Sequence, residues 1–117
     1  MEPKKKILTQ LEDFKALLHK HQVKALYLFG SSLNNRFNEN SSDIDLLVEI
    51  DEKDPMAKGE MLIALWDALE AFFQRKVDLL TDSSIKNPVL KKNIEASKIK
   101  IYDGGAEKIL IEPFTTA

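Results

Sequence analysis

Cysteine is absent from this chain of 117 residues. Without cysteine, neither a disulfide framework nor a thiolate metal site can form. A chain without disulfides is compatible with the reducing cytoplasm, which is the location we expect. Long apolar runs are missing as well, because no stretch approaches the roughly 20 residues that a membrane-spanning helix needs. We therefore expect no contact with a membrane.

The chain has no excess of basic side chains. The chain has 17 Lys and Arg against 19 Asp and Glu, which gives a net charge of −2. General binding to nucleic acid depends on an excess of basic side chains at the phosphates, so we do not expect it here. Binding of a single nucleotide remains compatible with this charge. The length predicts one domain over residues 1–117, with a core at about 4–102 and a tail at 103–117.

Apolar periodicity predicts helices and strands in strict alternation. Asp54-Pro55 is typical of a helix start, although Gly59 would also allow a start after it. This order predicts an α/β (α+β) domain, a small mixed β-sheet with flanking helices. The predicted helices cover 4–21, a short segment from Ser31 or Ser32, 55–73 and 88–96, and the predicted strands cover 24–29, 43–50, 75–81 and 98–102.

Two carboxylates stand at the start of the second predicted strand. Asp43 and Asp45 are two residues apart, so their side chains project from the same face of that strand. Neighbouring carboxylates repel each other unless a positive charge lies between them, and carboxylate oxygens suit Mg²⁺ or Mn²⁺. Alone, this pair would more often be a strand start facing solvent. A third carboxylate, Asp78, in another predicted strand favours the metal site.

The segment before these carboxylates ends abruptly in Gly30-Ser31 after an apolar strand. Gly30 permits a close backbone approach, and backbone N–H groups at the following helix start would face phosphate oxygens. Ser31 adds a hydroxyl donor. Together with three carboxylates on neighbouring strands, this turn predicts a two-metal site for phosphoryl transfer.

The motif Gly30-Ser31, a spacer, Asp43-x-Asp45 and a later Asp78 resembles the nucleotidyltransferase superfamily with the DNA polymerase β-like fold. The run from Leu28 to Ile50 is most similar to the minimal nucleotidyltransferases, which are often the antitoxin partners of HEPN-domain ribonucleases. The resemblance implies that Asp43 and Asp45 ligate two Mg²⁺ or Mn²⁺ ions. Asp78 would complete one metal site and assist deprotonation of the acceptor.

The same resemblance implies a nucleotide site. Gly30 and Ser31 would hold the β- and γ-phosphates of ATP, and Ser42 and Arg36 complete the predicted nucleotide-binding residues. Many relatives carry an arginine where this chain has Asn34, and Arg36 could replace it from another angle. The spacer before Asp43 is also one residue longer than usual. The reaction implied is transfer of AMP from ATP with release of pyrophosphate.

The acceptor is expected to dock in trans, because the length leaves no room for an acceptor-binding domain. A helical HEPN-type partner or a homodimer would provide it, and by the resemblance the acceptor group is a tyrosine hydroxyl. Three alternatives remain at this point. They are a non-catalytic module that neutralises a partner by binding, a small-molecule nucleotidyltransferase of the antibiotic-modifying kind, and a glycosyltransferase with an Asp-x-Asp motif.

Overall fold

The computed structural model describes residues 3–29 and 43–111. The helices are α1 (Pro3–Thr9), α2 (Leu11–Lys20), α3 (Pro55–Phe73) and α4 (Pro88–Ser97). The strands are β1 (Val23–Leu28), β2 (Ile44–Ile50), β3 (Val77–Leu80), β4 (Ile99–Asp103) and β5 (Lys108–Ile109), and a short 3-10 turn covers Asp82–Ser84. The helix expected from Ser31 or Ser32 lies outside the described residues.

The five strands form one sheet in the order β3-β2-β1-β4-β5. β2 and β3 are parallel, whereas β1 is antiparallel to both β2 and β4, and β4 is antiparallel to β5. The mixed α+β architecture expected from the sequence is therefore confirmed. β1 is the central strand, as its continuous apolar run predicted.

The two faces of the sheet are covered by different helices. Ile44, Leu46, Val48 and Ile50 of β2 pack in the main core with residues of α1, α2 and α3. This arrangement confirms the inward face predicted for β2 from its alternation of side chains. The other face carries a smaller cluster that includes Phe29 and Leu47 and is covered by Ile85 and by Ile94 of α4.

The first predicted helix is two helices, so its prediction as one continuous element was wrong. Gln10 interrupts it with φ −124° and ψ 50°, and its side chain makes no capping hydrogen bond. Ile7 before the break and Phe14 after it are both fully buried. The helical spacing of apolar residues thus holds on both sides of Gln10, and neither Gly nor Pro marks the break.

Helix α3 begins where the Asp54-Pro55 signal predicted. The Asp54 carboxylate accepts a hydrogen bond of 3.1 Å from the Ala57 N–H, which caps the first turn. Gly59 therefore lies inside the helix rather than before it. At the other end Gln74 adopts the left-handed conformation, with φ 55° and ψ 41°, and its N–H donates to the Glu70 carbonyl.

The predicted tail contains a strand that the sequence analysis missed. After β4 the chain turns at residues 104–107 and returns as β5, whose Ile109 pairs with Tyr102. The Gly104 N–H donates to the Lys24 carbonyl at 2.8 Å, which joins this turn to the start of β1. Part of the predicted tail, Asp103 and Lys108–Ile109, therefore belongs to the sheet. In the part of the chain that the structure describes, no helix is long and apolar enough to cross a membrane.

Candidate active site

Asp45 and Asp78 lie directly opposite each other on two parallel strands. The register pairs Ile44 with Val77 and Asp45 with Asp78, and the Ile44 N–H donates to the Lys76 carbonyl at 3.1 Å. Asp43 comes immediately before β2, two residues from Asp45. The structure therefore brings all three predicted carboxylates to the same end of two neighbouring strands.

The carboxylates project from the face of the sheet that α4 partly covers. Val77 and Leu79 are buried on the core side, whereas Asp78 between them is exposed. Asp43 and Asp45 are half-buried. This placement confirms the prediction that Asp78 points away from Val77 and Leu79, and it leaves an accessible acidic surface.

Two side chains of α3 hold the edge strand that carries Asp78. The indole N–H of Trp66 donates to the Val77 carbonyl at 2.7 Å, and the Val77 N–H donates to a Glu70 carboxylate oxygen at 3.0 Å. Together they satisfy backbone groups that an edge strand would otherwise leave unpaired. This supporting role was not predicted from the sequence. Its only signal is the spacing of four residues, which places Trp66 and Glu70 on one side of a helix.

The end of β1 lies beside the carboxylates. The Phe29 N–H donates to the Asp45 carbonyl at 3.3 Å, so the ladder between β1 and β2 continues up to the residue before Gly30. Gly30, Ser31, Arg36 and Ser42, the residues predicted to bind the nucleotide, lie outside the described residues. Their predicted roles remain predictions.

The donor chemistry of the carboxylates fits a divalent cation. Asp43, Asp45 and Asp78 offer only oxygen ligands, which Mg²⁺ and Mn²⁺ prefer. Among residues 3–29 and 43–111, however, no three His, Cys, Asp or Glu side chains are gathered as a ready metal site. The fit therefore rests on ligand type and strand register, and a bound ion would have to draw these side chains together.

A cavity of about 330 Å³ lies at the opposite end of the same strands. Its lining includes Glu49 near the end of β2, Asp82 after β3, and the lysines Lys24 and Lys58. These four side chains are exposed and carry both signs of charge. The arrangement that suits phosphoryl transfer is formed by Asp43, Asp45 and Asp78 and not by the residues of this cavity.

The fold and the acidic strand ends define a class of protein. Residues 9–101 match the family model described as the nucleotidyltransferase domain. That match covers most of the chain, so the chain belongs to the nucleotidyltransferase domain family. The enzyme class expected from the Gly-Ser and Asp-x-Asp motifs is thereby confirmed.

Individual relatives agree with this assignment. The chain is 42% identical to "Putative protein adenylyltransferase MJ1379" of Methanocaldococcus jannaschii over 74% of this chain and 85% of that protein. Among solved structures, "Structure of putative minimal nucleotidyltransferase" has the same fold, with a TM-score of 0.59 at 23% identity, covering 85% of this chain and 95% of that chain. A toxin–antitoxin crystal structure with AMP-PNP has a TM-score of 0.53 at 26% identity, covering 86% of this chain and 73% of that chain.

Proposed function

We propose that this protein transfers AMP from ATP to a hydroxyl group on a partner protein, with two Mg²⁺ or Mn²⁺ ions bound at Asp43, Asp45 and Asp78. The observation that carries the proposal is the register of Asp45 with Asp78 on parallel strands, with Asp43 two residues away. This arrangement supplies three carboxylates at one accessible edge, where metal-bound triphosphate could reach them.

The choice of AMP and of a protein acceptor draws support from two relatives. The relative at 42% identity is named "Putative protein adenylyltransferase MJ1379". The structure at 26% identity is a toxin–antitoxin with AMP-PNP, a triphosphate analogue of ATP. By analogy we propose a helical HEPN-type toxin as the partner and a tyrosine hydroxyl as its acceptor group. The partner would dock in trans.

The proposed reaction is a single displacement at the α-phosphorus of ATP. The acceptor oxygen forms a bond to that phosphorus, the bond from the phosphorus to the bridging β-oxygen breaks, and pyrophosphate leaves. The acceptor proton passes to the Asp78 carboxylate, which is exposed and therefore accessible to an incoming hydroxyl. Asp43 and Asp45 hold the nucleotide end of the site.

The divalent ions, when bound, would neutralise the developing negative charge and lower the pKa of the attacking hydroxyl. The contribution of the chain is mainly positioning, because phosphoryl transfer demands little covalent chemistry from the protein. β2 and β3 fix the spacing of the carboxylates, and Trp66 and Glu70 hold β3 in place.

The test is transfer of label from ATP radiolabelled at the α-phosphate, with Mg²⁺ or Mn²⁺, in a lysate that contains the product of the neighbouring gene. The double variant Asp43→Ala/Asp45→Ala is assayed alongside the wild type. We expect label on one protein band with the wild type and a loss of at least about a hundredfold with the double variant. Mass spectrometry of the band then identifies the modified hydroxyl.

Other outcomes would contradict the proposal in recognisable ways. Absence of label, with the double variant still co-purifying the same partner, would indicate a binding module that neutralises its partner without chemistry. Label in a small molecule rather than a protein would indicate the antibiotic-modifying type of nucleotidyltransferase. If label were transferred from another labelled nucleoside triphosphate but not from ATP, ATP would be the wrong donor nucleotide.

A further inference from the structure

A cationic side chain lies in the same row of the sheet as the carboxylates. β1 pairs with β4 through Tyr27 opposite Lys100 and Leu28 opposite Ile99. Continuing this antiparallel register by one residue places Lys98 opposite Phe29, whose N–H donates to Asp45. The row across the sheet therefore starts with Asp78 and Asp45, and Phe29 and Lys98 extend it just outside the ends of β1 and β4.

The Lys98 side chain lies on the carboxylate face. Its ammonium group is 4.4 Å from the centre of the Tyr27 ring, and Tyr27 packs against the cluster that contains Leu47. Leu47 and Asp45 are two residues apart in β2, so they share a face. The Lys98 side chain is only 19% exposed, and its Nζ pairs with a Glu95 carboxylate oxygen at 3.1 Å.

The order of these groups suits an extended anion. Two strand spacings separate the backbones of Asp45 and Lys98, a distance of roughly 10 Å, which a lysine side chain can partly bridge. The strand between them is β1, and Phe29, the residue that follows it, precedes the Gly30-Ser31 motif in the sequence. Metal-binding carboxylates thus lie on one side of the end of β1 and a fixed ammonium group lies on the other.

We infer that Lys98 contacts the β- and γ-phosphates of the bound nucleotide, the part that leaves as pyrophosphate. The inference rests on the proposed function, because it presupposes a triphosphate held at Asp43 and Asp45. The Tyr27 ring holds the ammonium group before the nucleotide arrives, so little side-chain freedom is lost on binding, and the phosphates take the place of the Glu95 carboxylate as its ion-pair partner. A residue in this role discriminates a triphosphate from a monophosphate.

The test compares dissociation constants of ATP and of AMP, each with Mg²⁺, by titration calorimetry on the full chain. Lys98→Met removes the charge and keeps most of the side-chain stem on Tyr27. We expect ATP to bind about tenfold more weakly and the affinity for AMP to change by less than about twofold, since AMP lacks the contacted phosphates. Lys98→Arg retains the charge and is expected to retain ATP affinity within about threefold.

Two controls separate this role from a purely structural one. Glu95→Gln breaks the same ion pair but leaves the ammonium group available, so ATP should bind as tightly as to wild type or more tightly. A structural role predicts instead that Glu95→Gln and Lys98→Met weaken ATP binding alike. Lys92→Met, at an exposed lysine of α4, should change neither affinity.

The other outcomes would overturn either the role of Lys98 alone or the proposed function as well. Unchanged ATP affinity in Lys98→Met, or equal losses for ATP and AMP, would overturn the role of Lys98 while leaving the proposed function intact. A wild-type chain that binds no ATP with Mg²⁺ would overturn both. Should Lys98→Met fail to fold by circular dichroism, the Glu95→Gln result decides, because weaker ATP binding there contradicts the inference.

Discussion

At the scale of single residues, Asp45 and Asp78 place two negative charges side by side on neighbouring strands. Like charges in directly opposed positions destabilise a sheet. Residues of an active site often reduce the stability of the fold in this way, because their arrangement serves a ligand rather than the folded chain. Removing one of these charges is therefore expected to impair the site and to stabilise the fold.

Asp78→Asn tests this expectation. Removing one of the opposed charges should raise the free energy of unfolding without metal by about 0.2–1 kcal/mol, while the proposed AMP transfer should be lost. Stabilisation by added Mg²⁺, which follows from binding to the folded state alone, should be present in wild type and absent from the variant. Urea unfolding with and without Mg²⁺ measures both quantities.

Asp67→Asn is the matched control for that experiment. Asp67 is exposed on α3 and lies away from β2 and β3 in sequence, so its substitution should change stability by less than about 0.5 kcal/mol. Equal stability changes in the two variants would show that opposition to Asp45 has no energetic effect.

At the scale of secondary structure elements, the turn between β4 and β5 is held close to the start of β1. A Cβ atom added to Gly104 would overlap the carbonyl oxygen of Val23, a backbone atom that cannot rotate away. At Gly105 the nearest atom would be a side-chain oxygen of Asp103 at 3.4 Å, which is an ordinary contact. The close approach to β1 thus requires glycine at position 104 but places no such requirement on position 105.

Gly104→Ala should therefore destabilise the protein by about 1–3 kcal/mol, the usual range for steric overpacking. Gly105→Ala should change the free energy of unfolding by less than about 1 kcal/mol. Thermal or urea unfolding of the two variants measures the difference. Equal effects would contradict the close approach of Gly104 to β1.

Sequence signals located some of these elements better than others. The start of α3 followed from Asp54-Pro55, because the cap and the proline act locally. The break at Gln10 did not, because a glutamine carries no intrinsic break signal and tertiary packing sets its conformation. β5 was missed because two residues are too few to show a period. That Asp43, Asp45 and Asp78 lie at the same end of neighbouring strands was predicted from the sequence, but Lys98 joins their row only through strand pairing, which a single sequence does not specify.

At the scale of the whole molecule, Tyr102 makes the free energy of unfolding depend on pH in the alkaline range. It is 1% exposed in the main core. Burial, reinforced by the negative charges of Glu107 and Asp103, raises the pKa of the Tyr102 hydroxyl above its usual 10.0. The folded chain therefore keeps this proton at pH values where the unfolded chain has lost it.

The sign of the effect follows from proton linkage. Between the unfolded pKa near 10 and the higher folded pKa the unfolded state binds fewer protons, so stability falls as pH rises through that window. Tyr102→Phe should reduce this fall, whereas Tyr27→Phe, which removes the only other tyrosine, is the control. Urea unfolding at several pH values above 9 measures the slopes, and identical slopes in wild type and Tyr102→Phe would contradict the assignment.

Trp66 gives the molecule an optical reporter of its own site. It is the only tryptophan of the chain, and its indole N–H donates to the carbonyl of Val77, the residue before Asp78. The emission of an indole depends on its hydrogen bond and on its exposure to water. Any displacement of β3 when an ion or a nucleotide reaches Asp78 would therefore alter the native fluorescence, without a dye or an engineered label.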